Sequence, residues 1–233
     1  MPPVARPIPR FVADSAQEGL PYGRWAERVT EEFAKGCEPL AEEAGAALDP
    51  ETIFFFPERG WGGRVYLPVT GRSPGADGGE EGEIEFFGHV SFARTSDEDE
   101  PSELRAKVDF TDVTADDNPD WKIDINEDVI GSWSADGGRG GDVTLVWGLP
   151  LVRGAIAATA ELASDVVDQT PIHEGRFTLV AVDAVKGFGD DLFLDVRLWD
   201  RRLNQVASES LYAEPEDEAD GGETSDKAPA DGG

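Results

Sequence analysis

Residues 150–168 read PLVRGAIAATAELASDVVD, and the way this stretch folds decides the architecture. Pro150 suits the first turn of a helix. Ile156, Ala160, Ala163 and Val167 then recur at spacings of three or four, which places them on one side of a helix. The spacing predicts a helix over 153–168, and its alanines would allow close approach to a sheet.

On either side of it the pattern is strand-like. The segments 53–56, 64–69, 83–93, 104–113, 121–125, 129–133 and 143–147 precede it, and 177–185, 192–199 and 205–212 follow. All are rich in β-branched and aromatic residues and are separated by Gly, Pro and Asp. Leu104, Ala106, Val108 and Phe110 alternate with polar residues, as do Trp121, Ile123 and Ile125. One wet face and one dry face mean antiparallel pairing. The expected fold class is α+β, with about eight to ten antiparallel strands.

A further helix is expected from about Arg24. Trp25, Val29, Phe33, Cys37, Leu40, Ala44 and Leu48 form one apolar stripe, and Pro39 should kink or break it. Cys37 lies on the stripe as a small core residue, not as a catalytic thiol. Residues 1–12 read as an extended arm, 13–213 as a single domain, and 214–233 as a disordered acidic tail. Residues 71–83 and 95–103 have the same acidic, low-complexity character.

The composition narrows the possible partners. The chain has 233 residues, 49 acidic against 20 basic, and a formal net charge of -29. Such a surface repels nucleic-acid phosphate and anionic membranes alike, so neither is expected as a partner. The N-terminal stretch has no apolar core of a secretory signal, and no segment approaches the roughly 18 apolar residues of a membrane span. A cytoplasmic location is the expectation. With one cysteine and two histidines, neither a disulfide nor a structural zinc site is expected.

Several catalytic motifs fail on inspection. Residues 71–75, GRSPG, have the form of a nucleophile elbow. Pro74, however, lacks the N–H that the residue after the serine must supply to the oxyanion hole. His173 and Glu174 begin an H-E-x-x-H pattern, but Phe177 stands where the second histidine belongs. Asp124, Asn126 and Asp128 open an EF-hand spacing, but Val129 replaces the required glycine and Ala135 the required glutamate. A looser calcium site from Asp116, Asp117, Asn118, Asp120 and Asp128 is the one metal candidate, and Ca²⁺ the one candidate cofactor.

The turn within FFFPERGWGGRVYLP (54–68) is the candidate ligand site. Arg59 and Arg64 flank Trp61 and bring a stacking face together with positive charge in an acidic chain. The alternative is that Trp61 folds back on its own hairpin. Trp25, Trp121 and Trp147 read as core, while Trp61, Trp133 and Trp199 are placed to pack or to stack on a flat ligand.

The expected function is therefore a non-catalytic ligand-binding or protein-interaction domain. One alternative is a calcium-binding β-rich domain. Another comes from residues 150–212. The small-residue helix followed by a meander ending LFLDVRLWDRRLNQVASESLY resembles the end of a hot-dog thioesterase subunit. The resemblance implies a dimer with an acyl-binding pocket at the helix–sheet junction. The long strand series before the helix departs from that fold, and the family's catalytic motif is missing.

The acidity itself makes a prediction. Screening relieves repulsion among crowded carboxylates, so added salt should raise the melting temperature. A flat or falling melting temperature from low to moderate salt would remove solubility by self-repulsion as the meaning of the charge.

Overall fold

A computed structural model describes residues 20–73, 83–94, 101–135, 139–162, 165–182 and 194–211. The expected arm, the acidic tail and most of both acidic loops lie outside these residues.

The chain begins with helix α1 (Gly23–Cys37), a 3₁₀ turn (Glu38–Leu40) that contains Pro39, and a short helix α2 (Ala41–Ala44). Pro39 thus breaks the apolar stripe where expected. Val29, Phe33 and Cys37 are fully buried from this stripe. Burial pushes the Cys37 thiol up to about 12, so it stays protonated and unreactive at neutral pH.

Twelve strands follow among the described residues. They are β1 (Phe54–Phe55), β2 (Arg59–Trp61), β3 (Arg64–Arg72), β4 (Glu85–Ala93), β5 (Ser102–Thr111) and β6 (Ile123–Ala135). Then come β7 (Arg139–Pro150), β8 (Ala157–Leu162), β9 (Asp165–Pro171), β10 (Phe177–Val182), β11 (Leu194–Trp199) and β12 (Gln205–Leu211). Every strand pair is antiparallel. The strands form a first sheet ordered β1-β3-β4-β5 with β2 also on β3, a second ordered β10-β7-β6, and a third ordered β12-β11-β8-β9. Among the described residues, no helix is long and apolar enough to cross a membrane.

The expected helix over 153–168 does not form. Its place is taken by β8 and β9, paired from Ala157↔Pro171 to Leu162↔Asp165. The residues carry a second periodicity. Ala158 and Ala160 enter the core, while Thr159 and Glu161 face the other way. That period of two matches a sheet, and burial against the second sheet outweighs the helix propensity of alanine. The hot-dog likeness was built on this helix and falls with it.

The layers stack as helix, first sheet, second sheet and third sheet. Val29 and Phe33 of α1 pack with Leu67, Val69, Phe86 and Val90 on one face of the first sheet. Gly36 lets the helix sit close. A Cβ there would come within 2.9 Å of both Ala106 and Val108 side chains. Leu104, Ala106, Val108 and Phe110 line this same layer, as their alternation predicts.

The second sheet is covered on both faces. Val143, Leu145, Trp147 and Val180 point to the first sheet, where they meet Phe56 and Tyr66. Val146, Phe177, Leu179 and Ala181 point to the third, where they meet Ala158, Ala160, Val196 and Leu198. Burying a large aliphatic or aromatic side chain contributes about 1.5–3 kcal/mol, so both interfaces are substantial.

A buried ion pair reaches from the first sheet to the third. The Arg59 guanidinium, on β2 of the first sheet, lies 2.8 Å from the Asp168 carboxylate on β9 of the third, and both side chains are 2% exposed. Arg59 also donates to the Thr178 carbonyl of the second sheet, and Asp168 accepts the Val180 backbone N–H. Removing one member leaves the other charged and buried. Arg59→Ala should therefore destabilise the fold by about 3–5 kcal/mol in chemical denaturation, and Arg59→Met with Asp168→Leu by clearly less. Equal losses in the single and double variants would refute the coupling.

Candidate functional site

The hairpin of β2 and β3 turns on Gly62 and Gly63, with φ of 59° and 78°, which favour glycine. Arg59 is committed to Asp168 inside the fold. Trp61, paired across the hairpin with Arg64, packs on the core between the first and second sheets. A Cβ added at Gly131 of β6 would sit 3.3 Å from the indole nitrogen. Arg64 donates to the Ser91 hydroxyl and to the Glu103 carbonyl.

Among the acidic candidates for calcium, Asp116, Asp117 and Asp128 are each engaged by other protein groups. Asp116 bonds Arg72 at 2.7 Å, and Asp117 accepts from the Thr114 hydroxyl. Asn118 donates to the Thr114 carbonyl. Asp120 is exposed in the turn before β6. Asp128 meets Lys107 and the His89 ring. Burial alone would raise the Asp128 pKa, but hydrogen bonds from His89 and Lys107 outweigh it and hold it low. Among the described residues, no group of three or more His, Cys, Asp or Glu is placed to hold a metal ion.

Ser73 of the GRSPG stretch is buried, and its hydroxyl accepts the Ile84 N–H where β3 meets the start of β4. His173 pairs with Arg176 in the turn between β9 and β10. His173 thus lies in a turn between two strands, not on the helix that H-E-x-x-H requires.

A concave feature lies elsewhere, on the outer face of the third sheet. It is a groove of about 570 Å³ over β8, β9 and β11. Alternation puts Thr159, Glu161, Trp199 and Gln169 on this face, while Ala158, Ala160 and Leu198 go to the core. Ile156 and Leu203 form an apolar rim and are 40% and 79% exposed.

A ladder of side-chain bonds crosses the groove floor. The Trp199 indole N–H donates to the Thr159 hydroxyl at 2.9 Å, and that hydroxyl reaches Glu161 at 3.1 Å. Arg197 bonds Glu161 at 3.0 Å from one nitrogen and Asp195 at 3.1 Å from another. Ser210 of β12 donates to Asp195. The registers Arg197↔Thr159 and Asp195↔Ser210 make this continuity possible. The ladder fixes the indole and leaves Glu161 only 5% exposed.

In this groove, Trp199 alone reads from the sequence as a stacking candidate. The signal that finds the rest is the alternation Ala-Thr-Ala-Glu in β8, which a helical reading hides. Comparisons of the chain with protein-family models, with curated proteins and with solved structures return no match.

The placement of Trp61 gives a direct expectation. Trp61→Ala should lower stability by about 2 kcal/mol because the ring covers the second sheet. Arg64→Ala, whose charge meets an exposed Glu103, should cost less than about 1 kcal/mol. Thermal melts of the two variants check the order. An unchanged melting temperature in Trp61→Ala would instead make that ring available to a ligand.

Proposed function

We propose that the protein is a non-catalytic ligand-binding domain whose ligand lies in the groove on the outer face of the third sheet. The observation that carries this reading is the Trp199 indole, tied by Thr159 into the floor of a groove of about 570 Å³. Groove volumes of roughly 300–1,000 Å³ with a few convergent polar groups are typical of small-molecule sites.

The chemistry of the lining narrows the ligand. The net charge of -29 disfavours an anion. Arg197 is already shared between Glu161 and Asp195, so it has little left to give a carboxylate or phosphate. What is offered is an aromatic face, the exposed Gln169 amide and hydroxyl-sized polar partners. A neutral ring bearing hydroxyl groups, such as a hexose unit of an oligosaccharide, suits such a surface.

The test is calorimetric titration with a panel of neutral malto-, cello- and chito-oligosaccharides, followed also by tryptophan fluorescence. At least one should bind wild-type protein and be recovered unchanged. Trp199→Ala should weaken it about tenfold or more, equivalent to ~1.4 kcal/mol, with a similar melting temperature. Absence of binding across the panel, or equal binding by Trp199→Ala, overturns the reading. Cleavage of the sugar would overturn its non-catalytic part.

A further inference from the structure

The groove on the third sheet changes character along its length. The pairing of β8 with β11 and β9 sets its floor in rows. One row holds Trp199, Ala157 and Pro171, and is largely apolar. The next holds Thr159 and Gln169, which are polar. Successive rows on one face are two residues apart, about 7 Å along the strands. Ile156 and Leu203 extend the apolar row past the ends of β8 and β11. The groove thus has a polar part, a tryptophan at the boundary and an apolar end.

Leu203 holds its place at that end against its own backbone preference. It lies in the turn between β11 and β12 with φ of 62°, a left-handed conformation in which the Cβ of a bulky residue is crowded. Glycine, asparagine or aspartate usually takes such a position in a hairpin turn.

The turn is tightly held without the leucine side chain. The Asp200 carboxylate accepts the backbone N–H of Arg202 at 2.7 Å, that of Asn204 at 2.9 Å and the Asn204 side-chain amide at 3.0 Å. The Leu203 N–H donates to the Asp200 carbonyl at 3.0 Å. The Leu203 side chain is 79% exposed and belongs to none of the three apolar cores. A strained backbone therefore holds an apolar side chain out into water at the end of a groove. Strain that brings no internal packing is the mark of a contact made with something else.

We propose that the ligand of this groove is a glycoside: its sugar ring lies on Trp199 beside Thr159 and Gln169, and an apolar aglycone lies on Ile156 and Leu203. The inference rests on the groove being a neutral-sugar site and supplies the second half of the ligand. An unsubstituted sugar fills the polar part alone and leaves Leu203 in water. An alkyl or aryl group on the sugar removes the side chains of Ile156 and Leu203 from water together.

The test is calorimetric titration with paired glycosides: methyl and hexyl α-glucoside, methyl and hexyl β-glucoside, and methyl and hexyl N-acetyl-β-glucosaminide, with 1-hexanol alone as the comparison. At least one hexyl glycoside should bind about tenfold or more tighter than its methyl partner, since each buried methylene adds to affinity. Hexanol should bind far more weakly than that glycoside. Leu203→Asn tolerates the left-handed backbone and removes the apolar contact. It should cut the hexyl advantage to about threefold or less, leave the methyl glycoside's affinity as it was, and melt at the wild-type temperature or above.

Equal binding of hexyl and methyl partners overturns the proposal, as does a hexyl advantage undiminished in Leu203→Asn. Hexanol binding as tightly as the hexyl glycoside also overturns it, because the sugar then contributes nothing. A melting temperature well below wild type in Leu203→Asn makes the leucine a part of the fold and overturns it too. If oligosaccharides bind through Trp199 and the hexyl group adds nothing, only the aglycone site falls. If no sugar of either kind binds, the sugar-binding reading falls with it.

Discussion

The buried pair of Arg59 and Asp168 is the constraint on which the stacking of the sheets depends. A charge sealed inside a protein is tolerable only next to its partner. Here the partners come from the first and third sheets, and both also bond the backbone of β10 in the second. The pair therefore fixes how three layers register. Apolar contacts between faces such as Val146 on Ala158 and Ala160 are nondirectional and would accept small slides. The ion pair does not.

The second sheet explains why the interior is not uniformly apolar. Its outward neighbour, the first sheet, alternates Phe86, Val90 and Phe92 toward the helix. The intervening positions of β4 then face the second sheet, and these are Glu85, Phe87, His89 and Ser91. Polar groups are thus built into a layer between two sheets, and each has a partner: Glu85 with Arg72, His89 with Asp128, Ser91 with Arg64. The interface on the other side, with the third sheet, is apolar around the buried pair of Arg59 and Asp168.

Much of the fold was legible. The α1 stripe, the break at Pro39, the alternation in β5 and the antiparallel pairing all follow from local periodicity and are present. The stretch 153–168 was not legible, because alanine-rich sequence satisfies both periods and only burial chooses between them. The site suffered the same way. Arg59 looked available because a turn with two arginines reads as surface, and nothing local reveals an aspartate 109 residues later in the chain that claims it. Trp199 was visible as an aromatic, but its partners Thr159 and Glu161 were hidden inside a supposed helix.

The distance along the chain between Arg59 and its partners also bears on how the protein is made. The Arg59–Thr178 bond spans 119 positions. When β6 and β7 leave the ribosome, the first sheet can already cover one of their faces. The other face, with Val146, must wait until β8 to β12 are synthesised. A nascent chain paused before β8 shows an uncovered sheet face, a state prone to association with other chains. Heavy negative charge on the segments already made keeps such chains apart. The acidity that reads as surface solubility in the finished molecule is then also a safeguard during its synthesis.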